Sequence, residues 1–428
     1  MIDINLIRDD KSREMVTESE KSRFKDHTKV LDIYIKDKER IRVGFELDHK
    51  NKHKNLIQKQ IRDAYKKDKN TTKDSIKDLL DQFKEAEKEA QTLQETLKNL
   101  DEEITVLLKN IGNIVDKRCV VSKDEEKNEV ISTFRSARAL YKAPKPYSAL
   151  MANYTYSNSG SKIVGHRGYY LSGKMAKLGQ ALSRYAVDFL EEKGYLYIQT
   201  PVMMRKDVMA RTSQLSDFDD QLYKVEDDLY LIATSEQPLT ALHMDERLTD
   251  SDLPKIYAGQ SLCFRKEAGA HGKDNAGLFR VHQFEKIEQF IVCKPEDSET
   301  YHTNMIKISE EFYRSLDISF NVVSIVSGEL NDAASLKYDL EAYFPSFDKY
   351  RELVSCSNCT DYQSRELEVR YGLTKENNKK VYVHMLNGTL CAVQRTLCCI
   401  VENYQDDGKI VVPTVLRKYT GFDSIDLE

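Results

Sequence analysis

The stretch from Phe264 to Glu288 holds the residue types best suited to chemistry. It runs Phe264-Arg-Lys-Glu267, then a loop with glycines (Ala268-Gly-Ala-His-Gly-Lys-Asp-Asn-Ala-Gly277), then Phe279-Arg-Val-His-Gln-Phe-Glu-Lys-Ile-Glu288. Read as two antiparallel strands joined by a hairpin loop, it puts Arg265 and Glu267 on one face of the first. His282, Phe284, Lys286 and Glu288 then share a face of the second, because strand side chains alternate. A cation, an aromatic ring and a carboxylate on one concave face are costly unless ligands meet them. Singly, each has an ordinary role: Phe284 as core, Arg265 with Glu267 as a surface pair, His282 as a packed strand histidine. Together they point to a ligand site.

The elements around this site fall into two halves. The first hundred or so residues are highly charged and almost free of Gly and Pro. Ile76, Leu79, Phe83, Ala86, Ala90, Leu93, Leu97, Leu100, Ile104 and Leu107 recur at spacings of three and four, the seam of a coiled coil. An upstream helix, roughly Thr28 to Tyr65, carries Val30, Tyr34, Ile41, Phe45 and Ile61 on a less regular stripe. The polar Lys66–Lys73 segment between them predicts an antiparallel hairpin. Arms of about 35 residues reach on the order of 50 Å. From Lys50 to Lys73 the bases Lys50, Lys52, Lys54, Lys59, Arg62, Lys66, Lys67, Lys69 and Lys73 outnumber Asp63 and Asp68. A solvated helix pair explains this as simply as a phosphate-binding tip does.

Beyond Asn110, Lys123–Asn128 reads as an exposed linker, and Gly, Tyr and β-branched residues then rise. Met175, Leu178, Ala181, Leu182, Tyr185, Phe189 and Leu190 form one face of a helix stopped by Gly194. Strands are expected at Tyr195–Ile198, Leu229–Ala233, Ser261–Phe264, Arg280–Val292, Phe320–Val326 and Val381–Leu386. Helices and strands do not alternate regularly, and no glycine-rich phosphate loop follows a strand. The expected class is α+β: an antiparallel sheet flanked by helices, preceded by an α-helical coiled-coil hairpin. The expected division is 1–115 with a hairpin over about 28–110, a linker at 116–135, and a second domain at 136–428.

Composition narrows the partners. The 428 residues include 65 Lys and Arg against 70 Asp and Glu, a net charge of −5, so nucleic-acid binding requires a local basic patch. No run approaches the ~20 apolar residues of a membrane span, and the N-terminus resembles neither a secretion signal nor an organelle presequence. Eight cysteines scattered among apolar runs suit a reducing, cytoplasmic setting better than a disulfide frame. Cys356-x-x-Cys359 invites a zinc reading, but no second Cys/His pair is spaced to complete the site. His166, in Gly165-His-Arg-Gly-Tyr169, has no identifiable partner.

Phe-Arg-x-Glu, the loop, and Arg-Val-His-Gln-Phe-x-Lys-Ile-Glu resemble motif 2 of class II aminoacyl-tRNA synthetases in the seryl form. The helix–Gly194–strand–Pro201 passage resembles motif 1. Asn387-Gly-Thr-Leu-Cys-Ala-Val-Gln-Arg395, running on to Glu402, resembles motif 3. Thr234-Ser-Glu236 is similar to the amino-acid-binding loop. Glu352-Leu-Val-Ser-Cys-Ser-Asn-Cys359, with Asp361, Gln363 and Arg365, is similar to the strand before motif 3. The likeness runs in order through nearly the whole chain, hairpin included.

The resemblance implies ATP and L-serine as substrates, Mg²⁺ as cofactor, tRNA(Ser) and also tRNA(Sec) as acceptors, and a homodimer whose arm serves the partner's active site. Arg265 and Arg395 are then the catalytic residues, on the α-phosphate with the serine carboxylate and on the γ-phosphate respectively. Thr234, Ser235, Glu236, Arg265, Glu288, Asn387 and Thr389 are implied for serine. For ATP the residues are Arg265, Lys266, Glu267, Arg280, Val281, His282, Gln283, Phe284, Glu352, Leu353, Val354, Ser355 and Arg395. Glu352 and Ser355 are implied as Mg²⁺ ligands. Residues three apart lie on opposite faces of an ideal strand, so that pair requires a bulge or a strand end. Lys54, Lys59, Arg62, Lys66, Lys67, Lys69 and Lys73 are implied for tRNA. In one departure, Ala276 stands where many relatives carry a basic residue, although Lys273 remains. The competing readings are another class II synthetase, a non-catalytic paralogue, and a coiled-coil scaffold. The first usually adds a C-terminal anticodon-binding domain, the second lacks a phosphate-binding arginine, and the third leaves the motifs unexplained.

Overall fold

Two long helices make up most of the N-terminal unit, and apolar residues spaced by three and four run along the second of them. The computed structural model describes residues 1–68, 72–212, 221–267, 277–372 and 380–427. It divides into two units, Met1–Gly112 and Asn113–Glu428. In the first, α1 (Ile4–Arg8) and α2 (Asp10–Ser22) precede α3 (Thr28–Lys67) and α4 (Lys77–Lys109). Asp3 and Asp9 cap the two short helices by accepting from Asn5 N and Ser12 N, each at 2.9 Å. Lys36 pairs with Glu103, Arg40 with Asp101 and Lys50 with Glu89. As one residue number rises its partner's falls, which is the register of an antiparallel pair. All ten seam residues, from Ile76 just before α4 to Leu107 within it, are buried or half-buried.

The α3 stripe differs from expectation. Ile41 and Phe45 are exposed, at 41% and 72%, and the buried side chains are Val30, Ile33, Asp37, Val43 and Ile57. A carboxylate occupies the inward stripe, so hydrophobicity alone misplaces it. Asp37 is 2% exposed. It accepts from Arg8 Nε at 2.7 Å and Nη2 at 2.9 Å, and from Arg40 Nε at 3.1 Å.

The second unit begins earlier than expected. Asn113 Nδ2 donates to Ala333 O and Cys359 O, both at 2.8 Å. Residues 116–135, expected as a linker, belong to this unit. Their polar centre is exposed, but β1 (Glu129–Phe134) is an edge strand that hydrogen-bonds on one side.

The main sheet has eight strands. After β1 come β2 (Leu196–Gln199), β3 (Lys255–Phe264), β4 (Gln283–Cys293), β5 (Phe320–Ser324), β6 (Leu336–Phe344), β7 (Lys349–Asn358) and β8 (His384–Ala392). Their order is β1-β5-β6-β7-β8-β4-β3-β2, antiparallel throughout except for the parallel β2–β3 pair. β6 was not anticipated, because Lys337, Asp339 and Glu341 break up its apolar residues. β8 starts at His384 rather than Val381 and runs on into α8 (Val393–Asn403).

One sheet surface packs with α5 (Gly173–Glu192), α7 (Ser298–Ser315) and α8 in a large apolar cluster that includes Leu182, Ile287, Phe312, Leu340 and Leu397. Gly194, at φ +86°, ends the α5 turn as expected. On β4, Ile287 and Ile291 face this cluster, while Phe290 and Val292 belong to a separate one with Tyr257 and Met385. Alternation carries the latter face back to Glu288, Lys286 and Phe284. That face forms the site.

The Arg8 hydrogen bond holds the Asp37 carboxyl below its ordinary value, against the opposing effect of burial. A depressed carboxyl stabilises the fold above its unfolded pKa of about 3.9, and the contribution is lost as pH falls through the lower folded value. Asp37→Asn should lower the thermal midpoint at pH 7 by an amount corresponding to about 1–3 kcal/mol. Melts followed by circular dichroism should show the two proteins converging only below about pH 3.9. A gap that persists unchanged at pH 2.5 contradicts this account.

Candidate active site

Arg265 and Arg395, far apart in sequence, line the same cleft, whose volume is ≈ 250 Å³. Arg265 leaves the end of β3, and its Nε donates to Ala233 O at 3.3 Å. Its guanidinium carbon lies 5.2 Å from the Phe284 ring centroid. Arg395 sits in the first turn of α8, where Nε donates to Phe279 O at 3.4 Å. Its Nη1 lies 3.8 Å from Glu352 Oε1. Burial pulls the Arg395 guanidinium below its ordinary value; Glu352 opposes that, and Arg265 and Arg280 add to it. Three cations thus feel one another in one cleft, with the first turn of a helix contributing positive dipole. The arrangement is built for an anion.

Glu352 and Ser355 both line this cleft. The β6–β7 register passes from Leu340 opposite Val354 to Glu341 opposite Glu352, leaving Leu353 as the extra residue. The bulge that the pair requires therefore lies between them. Asp339 stands opposite Ser355 across the strands. Burial raises its carboxyl well above the usual range, against the opposing Lys337, and its Oδ1 has no hydrogen-bond partner among the described residues. An orphaned buried oxygen beside a carboxylate and a hydroxyl is a donor set suited to a hard cation such as Mg²⁺. Among the described residues no group of three or more His, Cys, Asp or Glu side chains is arranged to hold a metal unaided. A cation here must complete its shell with water or ligand oxygens.

Deeper in the cleft the polar groups are small and buried. Glu236 Oε1 accepts from Gln363 Nε2 at 3.0 Å and Asn387 Nδ2 at 3.1 Å. Burial, then the neighbouring Glu288, raises the Glu236 carboxyl; Lys286, Gln363 and Arg265 oppose. Lys286 forms an ion pair with Glu288, and both are nearly inaccessible. Thr389 is the cross-strand partner of Glu288 on β8. Thr234 Oγ1 accepts from Glu236 N at 3.1 Å and fixes the turn that aims Glu236 inward. Two acids, an amide and hydroxyls around one small space suit a cationic amine carrying a hydroxyl.

Thr234, Glu236, Glu267, Arg280, Val281, Phe284, Glu288, Leu353, Asn387 and Thr389 also line the cleft with the residues above. Ser235, Lys266, His282, Gln283 and Val354 do not. His282 was expected beside Phe284, but it precedes β4, so strand alternation does not extend to it. Its Nδ1 lies 3.0 Å from the Arg265 carbonyl oxygen, and its ring lies against those of His166 and Tyr223. Val354 points into the apolar cluster, Gln283 is exposed, and Ser235 is fully buried close to Gly259. Sequence reasoning gave no role to Lys286, Gln363, Phe279 or Ser357, all of which belong to the site. Alternation from Phe284 to Glu288 already marks Lys286; nothing local marks Gln363. Cys356 and Cys359 are buried free thiols, like the other six cysteines, and Asn387 Nδ2 lies 3.4 Å from Cys359 Sγ.

On the hairpin, Lys59, Arg62, Lys66, Lys67 and Lys73 are exposed and Lys54 is half-buried. Lys69, Lys273 and Ala276 lie outside the described residues.

Residues 1–115 match the seryl-tRNA synthetase N-terminal domain, and residues 221–404 match the tRNA synthetase class II core domain (G, H, P, S and T). A serine–tRNA ligase of Encephalitozoon cuniculi is 64% identical over 427 residues, covering 100% of both chains. The structure of a cytoplasmic serine–tRNA ligase from Naegleria fowleri in complex with AMP aligns with a TM-score of 0.88 at 42% identity, covering 100% of this chain and 99% of that one. Seryl-tRNA synthetase from Pyrococcus horikoshii complexed with ATP gives 0.91 at 36% identity, with the same coverage. At these identities and coverages, with both family models matched in order along the sequence, the chain belongs to the seryl-tRNA synthetases.

Proposed function

We propose that the chain activates L-serine with ATP to form seryl-adenylate and then transfers serine to the 3′ end of tRNA(Ser). The observation that carries this reading is the convergence of Arg265 and Arg395 beside a pocket of buried acids. The adenine ring lies on Phe284, and Arg280 neighbours the nucleotide. Arg265 holds the α-phosphate together with the serine carboxylate, since a planar fork suits both anions. Arg395 takes the γ-phosphate and so bends the triphosphate back over the cleft. Glu352 and Ser355 are the protein ligands of a Mg²⁺ that, when bound, neutralises phosphate charge.

Serine enters with its ammonium toward Glu236 and Glu288 and its hydroxyl toward Asn387 and Thr389. A pocket that hydrogen-bonds a hydroxyl rejects alanine, because the unpaired polar groups would remain buried. A carboxylate oxygen of serine attacks the α-phosphorus in line, and the bond to pyrophosphate breaks. The 3′-terminal hydroxyl of tRNA then attacks the carbonyl carbon, and AMP leaves. No protein nucleophile is needed; the protein positions the reactants and stabilises charge.

The basic hairpin tip recognises tRNA by backbone and shape, which extends the proposal to tRNA(Sec). The working form is a homodimer in the cytoplasm, in keeping with the relatives named cytoplasmic. Among the described residues no helix is long and apolar enough to cross a membrane.

Arg265→Ala should reduce serine-dependent ATP–pyrophosphate exchange by on the order of 10²–10³-fold or more; near-normal exchange overturns the assignment. Removing Leu56–Glu95 should leave exchange within a few fold of the parent while lowering aminoacylation of tRNA(Ser) by more than about tenfold. An equal loss of both would contradict the division of labour between hairpin and cleft.

A further inference from the structure

Arg167 is one of the most buried cations of the second unit, 4% exposed, and belongs to none of the motifs that form the cleft. Its surroundings are built for it. Gly165-His-Arg-Gly168 folds back on the short helix Ser157–Val164 so closely that a Cβ on Gly160 would lie 2.4 Å from Gly168 O. A Cβ on Gly168 would lie 2.5 Å from Gly160 O, so neither glycine can carry a side chain without movement of the turn. The turn delivers Arg167 Nη1 to 3.8 Å from Glu267 Oε2. The same carboxylate oxygen meets Arg280 Nε at 2.7 Å. Glu267 has φ +53°, a backbone state that a non-glycine residue keeps only when its surroundings hold it.

The adjacent His166 completes a brace. Arg167 Nε lies 3.2 Å from His166 Nε2, and the His166 ring packs edge-on against His282. His282 in turn bonds the Arg265 carbonyl. Residues 166 and 167 therefore contact the chain on both sides of residues 268–276: Glu267 before them, His282 after. Arg280 and Glu267 line the cleft, whereas Arg167 does not.

We propose that Arg167 is a positioning residue for ATP: it holds Glu267, and through Glu267 it sets Arg280 on the nucleotide side of the cleft. The inference rests on the reading that this cleft binds ATP. A planar, permanently charged fork can share one carboxylate oxygen with Arg280 and still bond His166, which an ammonium cannot do as well. Loss of Arg167 leaves Glu267 with Arg280 as its one cation among the described residues and frees its strained backbone to relax. The effect reaches the nucleotide and spares the serine pocket, whose acids are Glu236, at the start of the short helix Glu236–Ala241, and Glu288, within β4.

The test is serine-dependent ATP–pyrophosphate exchange with R167Q, R167K, E267Q and R167Q/E267Q, together with ATP binding by calorimetry and thermal melts. R167Q should raise the ATP KM and Kd by about tenfold with the serine KM within about twofold of the parent, and R167K should give a smaller rise. Because Arg167 acts through Glu267, the double variant should bind ATP no more weakly than E267Q alone. An R167Q ATP KM within about twofold of the parent overturns the proposal, as do parallel rises in both substrates' KM or additive losses in the double variant. Should R167Q fail to fold, an unchanged ATP KM in R167K overturns it. Absence of exchange in the parent protein would instead refute the catalytic reading itself.

Discussion

Mutual repulsion of cations in a cleft of low dielectric is the constraint on which the rest of this structure depends. Burial, and then the neighbouring Arg265 and Arg280, pull the Arg395 guanidinium below its ordinary value against the opposing Glu352, and the desolvation of such a cluster is unfavourable unless carboxylates or a ligand compensate. Among the described residues, Glu352 pairs with Arg395 and Glu267 with Arg280 as partial partners. A polyphosphate completes the neutralisation. The sheet exists to hold these groups still: Arg265 leaves the end of β3, Arg395 begins α8, and the β7 bulge turns Glu352 and Ser355 to the same side. Preorganisation of this kind is unfavourable to folding and favourable to the transition state.

The inner pocket applies the same logic at smaller scale. Burial, and then the neighbouring Glu288, disfavour ionisation of Glu236, and Lys286 pairs with Glu288. A ligand ammonium entering between them relieves that repulsion. Gln363 and Asn387 fix the Glu236 carboxylate in advance, so a small amino acid meets groups already aimed. The hairpin is a separate body with its own polar anchor at Asp37.

Much of this was legible in the residues, and the failures have physical causes. The α4 seam and the α5 face were readable because apolar periodicity and burial coincide there. The α3 stripe misled because an ion pair at Asp37 takes a position that an aliphatic residue would normally fill. Strand alternation placed Phe284 and Glu288 on one face correctly and failed at His282, which lies just before the strand. The bulge beside Leu353 could be required from chemistry but not located from propensity. β6 was hidden by its charged residues, and Gln363 and Arg167 by distance, since each works through a contact more than ninety residues away in the chain.

The claim that these arginines and acids form one site for serine and ATP is tested most directly by ATP–pyrophosphate exchange of the intact protein against a panel of amino acids. The account predicts exchange with serine, weak exchange with threonine, and none with alanine or glycine above background. Exchange driven best by another amino acid, or by none, would contradict it.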